Sequence, residues 1–155
     1  MKERLNFIKA APSAYKAMSQ LEQYIRNCGL EMPLIELVKI RSSQINGCGY
    51  CLDMHTKDAR AAGETEQRIY VLPAWREAPF YTPRERAALE WAETVTLVSQ
   101  THVPDEVYER VKQQFTEEEL VNLTLVINTI NSWNRLVISF RPEVGGYHPG
   151  QHAAA

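Results

Sequence analysis

The chain has 155 residues, 45% of them apolar and 23% charged, with a formal charge of −2 and an isoelectric point near 6.1. That length suits one domain with a real core and leaves too little for two. Lys and Arg are interspersed with Glu, the pattern of solvated helix faces, so no basic face points to nucleic acid.

The segments follow one another as helices. Pro12 and Ser13 open the first, whose apolar positions Tyr15, Met18, Leu21 and Ile25 recur at helical spacing until Gly29. Pro33 suits the first turn of the next, LIELVKIRSSQIN, which Gly47 ends. A third runs from about Gly49 to Ala62 and carries Cys51, Met54, His55 and Ala59. Thr65 then caps EQRIYVL, closed by Pro73. Pro83 starts RERAALEWAETVTLV, with Leu89, Ala92 and Val95 on one face, and Pro104-Asp105 starts DEVYERVKQQF. Thr116 and Glu119 have capping-box spacing ahead of ELVNLTLVINTINSWNRLVISF. That last segment is rich in β-branched residues. Its positions Leu120, Leu123, Val126 and Ile130 fit a helix better than a strand, and no turn signal interrupts it. Its nearly continuous apolar character predicts burial on more than one side, against the rest of the chain or another subunit.

The expected architecture is therefore all-α, one helical domain over residues 1–142 and a flexible tail over 143–155. No apolar run reaches the roughly 20 residues that span a bilayer. The start, MKERLNFIKAAPSAY, lacks the apolar stretch of a secretory signal, so a cytoplasmic location without membrane contact is expected. Three cysteines leave one unpaired in any disulfide framework. In a reducing compartment a close pair is catalytic, redox-sensing or metal-binding. Cys28, alone near a helix end, is read as a bystander.

The chemistry concentrates in Glu36, Cys48, Cys51 and His55. The turn at Gly47 and Gly49 puts Cys48 at a helix N-terminus and Cys51 in its first turn, where free N–H groups and the macrodipole favour a thiolate. Residues three apart on a helix share a face at about 5–6 Å between Cβ atoms, within reach of a disulfide. His55 follows Cys51 by one turn. Glu36 interrupts an apolar run and needs a partner if buried. Two antiparallel helices would set it against His55 or Cys51, and an ion pair with Arg41 or Arg135 is the structural alternative. In the redox reading Glu36 accepts a proton relayed by His55, Cys51 is the thiolate that attacks a peroxide, and Cys48, the more exposed partner, closes the disulfide. A zinc site built from the same four residues is the competing chemistry. His102, His148 and His152 lack partners, and Trp75, Trp91 and Trp133 are assigned to cores or subunit contacts.

Glu36 followed by GCGYCLDMHTKDARAAG from Gly47, together with LEWAE at 89–93 and NSWNRL at 131–136, resembles the AhpD-like alkylhydroperoxidases of the carboxymuconolactone decarboxylase superfamily. The resemblance implies a single-domain AhpD-like helical bundle assembled as a homo-oligomer, a trimer or hexamer. It implies thiol-dependent reduction of hydroperoxides, recycled by a dithiol donor such as a lipoyl-bearing or thioredoxin-like protein, with no bound metal, flavin or haem. Cys51 would be the peroxide-reactive cysteine, Cys48 its disulfide partner, and Glu36 with His55 the proton relay. Tyr50 stands where the best-known peroxidase of the family has histidine, and a phenol is a poor base near neutral pH. The paired cysteines argue against lactone decarboxylation, whose branch generally lacks them. The alternatives are a redox-sensing or structural oligomer whose disulfide switches without turnover, and a lyase or tautomerase-like enzyme independent of the thiols.

Overall fold

A computed structural model describes residues 2–151. Among them no strand occurs, and the chain is a single all-α domain. The helices are α1 (Phe7–Ala10), α2 (Pro12–Arg26), α3 (Met32–Asn46), α4 (Gly49–Ala61), α5 (Glu66–Val71), α6 (Pro83–Thr96), α7 (Val98–Thr101), α8 (Asp105–Val111) and α9 (Glu117–Phe140). A 3₁₀ turn, Leu72–Ala74, follows α5 where Pro73 ends its hydrogen bonding.

The capping chemistry explains the boundaries. Thr65 accepts the Arg68 N–H at 3.3 Å and starts α5. Thr116 accepts from Glu119 N at 3.2 Å while the Glu119 carboxylate takes the Thr116 N–H at 2.8 Å, a reciprocal box that launches α9. Thr82 and Glu85 form the same box at α6. With both ends fixed, the β-branched stretch of α9 is helical over its whole length.

The two longest apolar runs fill the centre. In α3 every residue from Leu34 to Ile40 is buried, and the helix packs on α4, α6 and α9. A helix enclosed on all sides needs no single apolar stripe. One side joins Ile25, Trp91, Val111, Leu123 and Ile127. The other joins Leu72, Trp75 and Leu89 through Leu37 and Ile40. Cys48, Cys51, Ile130 and Val137 form a third cluster between α4 and α9, flanked by Tyr50 and Trp133. The isolated short helices α1 and α7 have no counterpart in the apolar periodicity, being one turn each.

Residues 143–151 form no helix beyond a closing turn, and they run back along α4. Tyr147 is buried there and its hydroxyl donates to Asp58 Oδ1 at 2.8 Å. Lys57 Nζ donates to the carbonyls of Gly145 and Tyr147 at 3.3 and 3.1 Å. His152 lies outside the described residues. Among the described residues no helix is long and apolar enough to cross a membrane.

Candidate active site

The turn between α3 and α4 delivers the cysteines. Gly47 adopts φ +67°, its N–H bonds the Gln44 carbonyl at 3.3 Å, and the Cys48 N–H bonds the Ser43 carbonyl at 3.0 Å. That pair of bonds is a Schellman turn, and it needs the left-handed conformation that glycine adopts without strain. Cys48 becomes the N-cap of α4 and Cys51 its third residue. Gly49, by contrast, keeps an ordinary helical φ.

Antiparallel packing then brings Glu36 to His55. Glu36 Oε2 and His55 Nδ1 are 2.9 Å apart, and both side chains are buried. The ion pairs that would compete for Glu36 are taken elsewhere. Arg41 Nε donates to Glu93 at 2.8 Å, alongside Trp75 Nε1 at 2.9 Å, and Arg135 bonds the Asn131 carbonyl at 2.8 Å. Burial works to raise the Glu36 carboxyl, but the His55 hydrogen bond and charge, with Lys39, outweigh it and hold the acid below its usual range. The ionised carboxylate accepts from Nδ1–H and so leaves Nε2 as the basic nitrogen of His55.

Both sulfurs are reduced and shut off from solvent, Cys48 at 0% and Cys51 at 1% exposure. Cys48 is therefore not the more exposed partner within this chain, because Ile130 and Val137 of α9 cover both. The two thiols are neighbours whose acidities are driven in opposite directions. The hydrogen bond from Cys51, opposed by burial, brings Cys48 down to about 7, helped by the backbone N–H of Cys51, the Asn134 side chain and the N–H of Tyr50. The cap side chain makes no full hydrogen bond to the first turn, yet its sulfur lies close enough to those dipoles to favour the anion. Cys51 is pushed well up, first by its hydrogen bond to Cys48, then by burial and the Cys48 charge; Asn134 and Lys39 oppose the rise. Burial, with Cys51, Tyr15 and Asp53, raises the Tyr50 phenol, which stays a neutral donor.

Two buried polar residues outside the tetrad complete the site. Asn134 on α9 has no exposed surface, donates to Ser43 Oγ at 3.1 Å and accepts from Asn46 at 2.8 Å. Lys39 is also fully buried and bonds Glu22 Oε1 of α2. The expectation that Lys side chains line solvated faces fails at this position. Sequence carried a signal for it: Lys39 sits three residues after Glu36 in an otherwise apolar run, and Glu22 lies on the α2 face of Met18 and Ile25. His102 and His148 are exposed. Among the described residues no three His, Cys, Asp or Glu side chains converge as a metal-binding group.

A cleft of about 460 Å³ reaches the tetrad through Glu36. Its floor is Met32, Pro33, Leu37 and Ala59, and Tyr147 stands in its wall.

The fold is an all-helical bundle with two cysteines at one helix mouth and a buried carboxylate–imidazole pair beside them. The chain belongs to the carboxymuconolactone decarboxylase family, in its AhpD-like branch, and the family match spans residues 12–94, which hold all four tetrad residues. An uncharacterized protein of Bacillus subtilis, YdfG, is 50% identical over 139 residues, covering 90% of this chain and 95% of its own. A protein of unknown function from Agrobacterium tumefaciens, named as a candidate antioxidant defence protein AhpD, superposes with a TM-score of 0.91 at 44% identity, over 94% of this chain and all of its own. The debrominase Bmp8 superposes at 0.80 with 20% identity, over 90% of this chain and 75% of its own, a likeness of fold alone.

Proposed function

We propose that the protein is a thiol peroxidase that reduces hydroperoxides through a Cys48–Cys51 dithiol–disulfide cycle. The supporting observation is the buried 2.9 Å contact between His55 and Glu36 on the helix that opens with the thiol pair. Cys51 shares a helix face with His55 at four residues' spacing and is the attacking sulfur. Its proton passes to His55, directly or by way of the Cys48 sulfur, and Glu36, held ionised, stabilises the imidazolium. The Cys51 thiolate displaces alkoxide from the peroxide oxygen and becomes a sulfenic acid, while the alkoxide takes a proton from His55. Cys48 then attacks the sulfenic sulfur, expelling hydroxide that leaves as water. In sum a dithiol and a hydroperoxide yield a disulfide, an alcohol and water. A lipoyl-bearing or thioredoxin-like dithiol restores the reduced pair by exchange. The protein works as a homo-oligomer, trimer or hexamer, in the cytoplasm, without metal or organic cofactor.

Intact-mass analysis after one equivalent of peroxide tests this. Wild type should lose two hydrogens, Cys48→Ser should trap an oxidised Cys51, and Cys51→Ser should stay unreacted. A Cys51→Ser protein that oxidises as readily as Cys48→Ser would sink the assignment. The complete burial of both sulfurs favours a second reading, a redox switch in which opening of the cluster is slow. It differs in one measurement: stoichiometric disulfide formation with no turnover when a dithiol donor is added.

A further inference from the structure

Helix α3 carries a polar row, Glu36, Lys39 and Ser43, at one-turn intervals, whose side chains bond α4, α2 and α9 in turn. Both ends of the row are tied to the thiol site. Glu36 bonds His55 at 2.9 Å, and the Ser43 hydroxyl accepts from Asn134 at 3.1 Å. The Ser43 carbonyl also takes the Cys48 N–H at 3.0 Å. One helical turn from each, the middle of this row lies about 5–6 Å, Cβ to Cβ, from both tied ends. Lys39 occupies that middle position. It is the largest side chain with no exposed surface in the described chain, and its ammonium donates to Glu22 Oε1.

Packing alone does not call for an ammonium here. Methionine or leucine would fill the space without the desolvation that a buried charge incurs. Lys39 touches Glu22 of α2, itself paired with Arg26, and its charge also acts on Glu36 of α3 and Cys51 of α4; His55 of α4 faces the same two carboxylates. Glu22, on α2, supplies the counter-charge that a buried ammonium needs. In a poorly screened interior a cation acts over several ångströms. Consistent with this placement, Lys39 opposes the rise that Cys48 and burial impose on the Cys51 thiol.

We infer that Lys39, held by Glu22, is a positioning residue whose buried positive charge stabilises the thiolate form of the Cys48–Cys51 pair. The inference deepens the thiol-redox function proposed above and rests on it. The test is a pH titration of ultraviolet thiolate absorbance in reduced wild type, Lys39→Met, Lys39→Gln and Lys39→Arg, each confirmed folded by circular dichroism. Gln keeps a donor for Glu22 and provides a second neutral variant should Met fail to fold. Both neutral variants should raise the first thiol pKa by about one unit, a tenfold loss of thiolate below it, and Arg should restore the wild-type curve. Neutral variants that titrate with wild type, or an Arg variant that titrates with the neutral ones, overturn the inference. Peroxide oxidation of the wild type is followed by mass in parallel. Its absence would remove the peroxidase function, while the titration still decides the role of Lys39.

Discussion

Two sulfurs that share one proton titrate as a pair, and the fold makes their ionisation part of its stability. Cys48 falls from an ordinary value of 9.0 to about 7 in the folded chain, so between those values the unfolded chain binds more protons and stability rises with pH. Cys51 moves the other way, so above its ordinary value of 9.0 the folded chain retains the proton and stability falls again. The urea midpoint of the reduced protein should therefore climb from pH 7 to about pH 9 and then decline, whereas Cys48→Ser with Cys51→Ser should be nearly flat across that window. A wild-type profile no steeper than that of the double variant would remove the shared thiolate. At this scale the sequence spoke clearly for residues whose helices are joined by a tight turn. Glu36 and His55 were legible because a short turn forces their helices to pack antiparallel. Lys39 was legible only as a charge in an apolar run, because the longer connection over residues 27–31 does not specify how α2 brings Glu22 to it. Asn134 stands in the NSWNRL segment that the sequence singles out, but its bond to Ser43 across 91 positions has no local signature.

Helix α4 is the element that turns spacing into chemistry, and Gly47 is where its position is set. An added Cβ at Gly47 would meet nothing within 4 Å, so a substitution there carries only the cost of its φ of +67°. Gly47→Ala should lower stability by about 1–2 kcal/mol. Gly49 has the same open surroundings but a helical φ, so Gly49→Ala should be neutral or stabilise by up to about 1 kcal/mol. Urea unfolding of the two variants checks the contrast, and equal losses would mean that the turn is not held by the left-handed residue. The glycine and proline punctuation made α2, α3, α4 and α6 readable to within a residue or two, since each break has a local steric cause. α8 is shorter than its sequence pattern, because the bonds after Val111 tighten into turns. The all-round burial of α3 and α9 has no local signature beyond the loss of a polar face.

At the scale of the whole molecule, the segment after Pro142 closes one side of the cleft that leads to Glu36. Composition offers no reason for it to pack: it has two adjacent glycines and no helical period, and its one bulky aromatic is Tyr147. That aromatic is the point of attachment. The ring is buried and its hydroxyl lies 2.8 and 2.9 Å from the two Asp58 oxygens, an interaction that burial and the Asp58 charge reflect by raising the phenol far above its usual value. With the Lys57 bonds to the Gly145 and Tyr147 carbonyls beside it, this anchor needs little else to hold the segment over the cleft, since each doubling of loop length adds only about 0.6 kcal/mol of closure entropy. Tyr147→Phe should remove the hydroxyl contact to a charged acceptor and lower stability by about 1–3 kcal/mol. Tyr147→Ala should add the lost burial of the ring, a further loss of about 2 kcal/mol, and should speed amide exchange along the Glu36 turn of α3 by exposing the cleft. Chemical unfolding and hydrogen exchange read both effects. If Tyr147→Ala matches wild type in stability and in exchange at Glu36, the segment does not wall the cleft, and the approach to the carboxylate is open from that side.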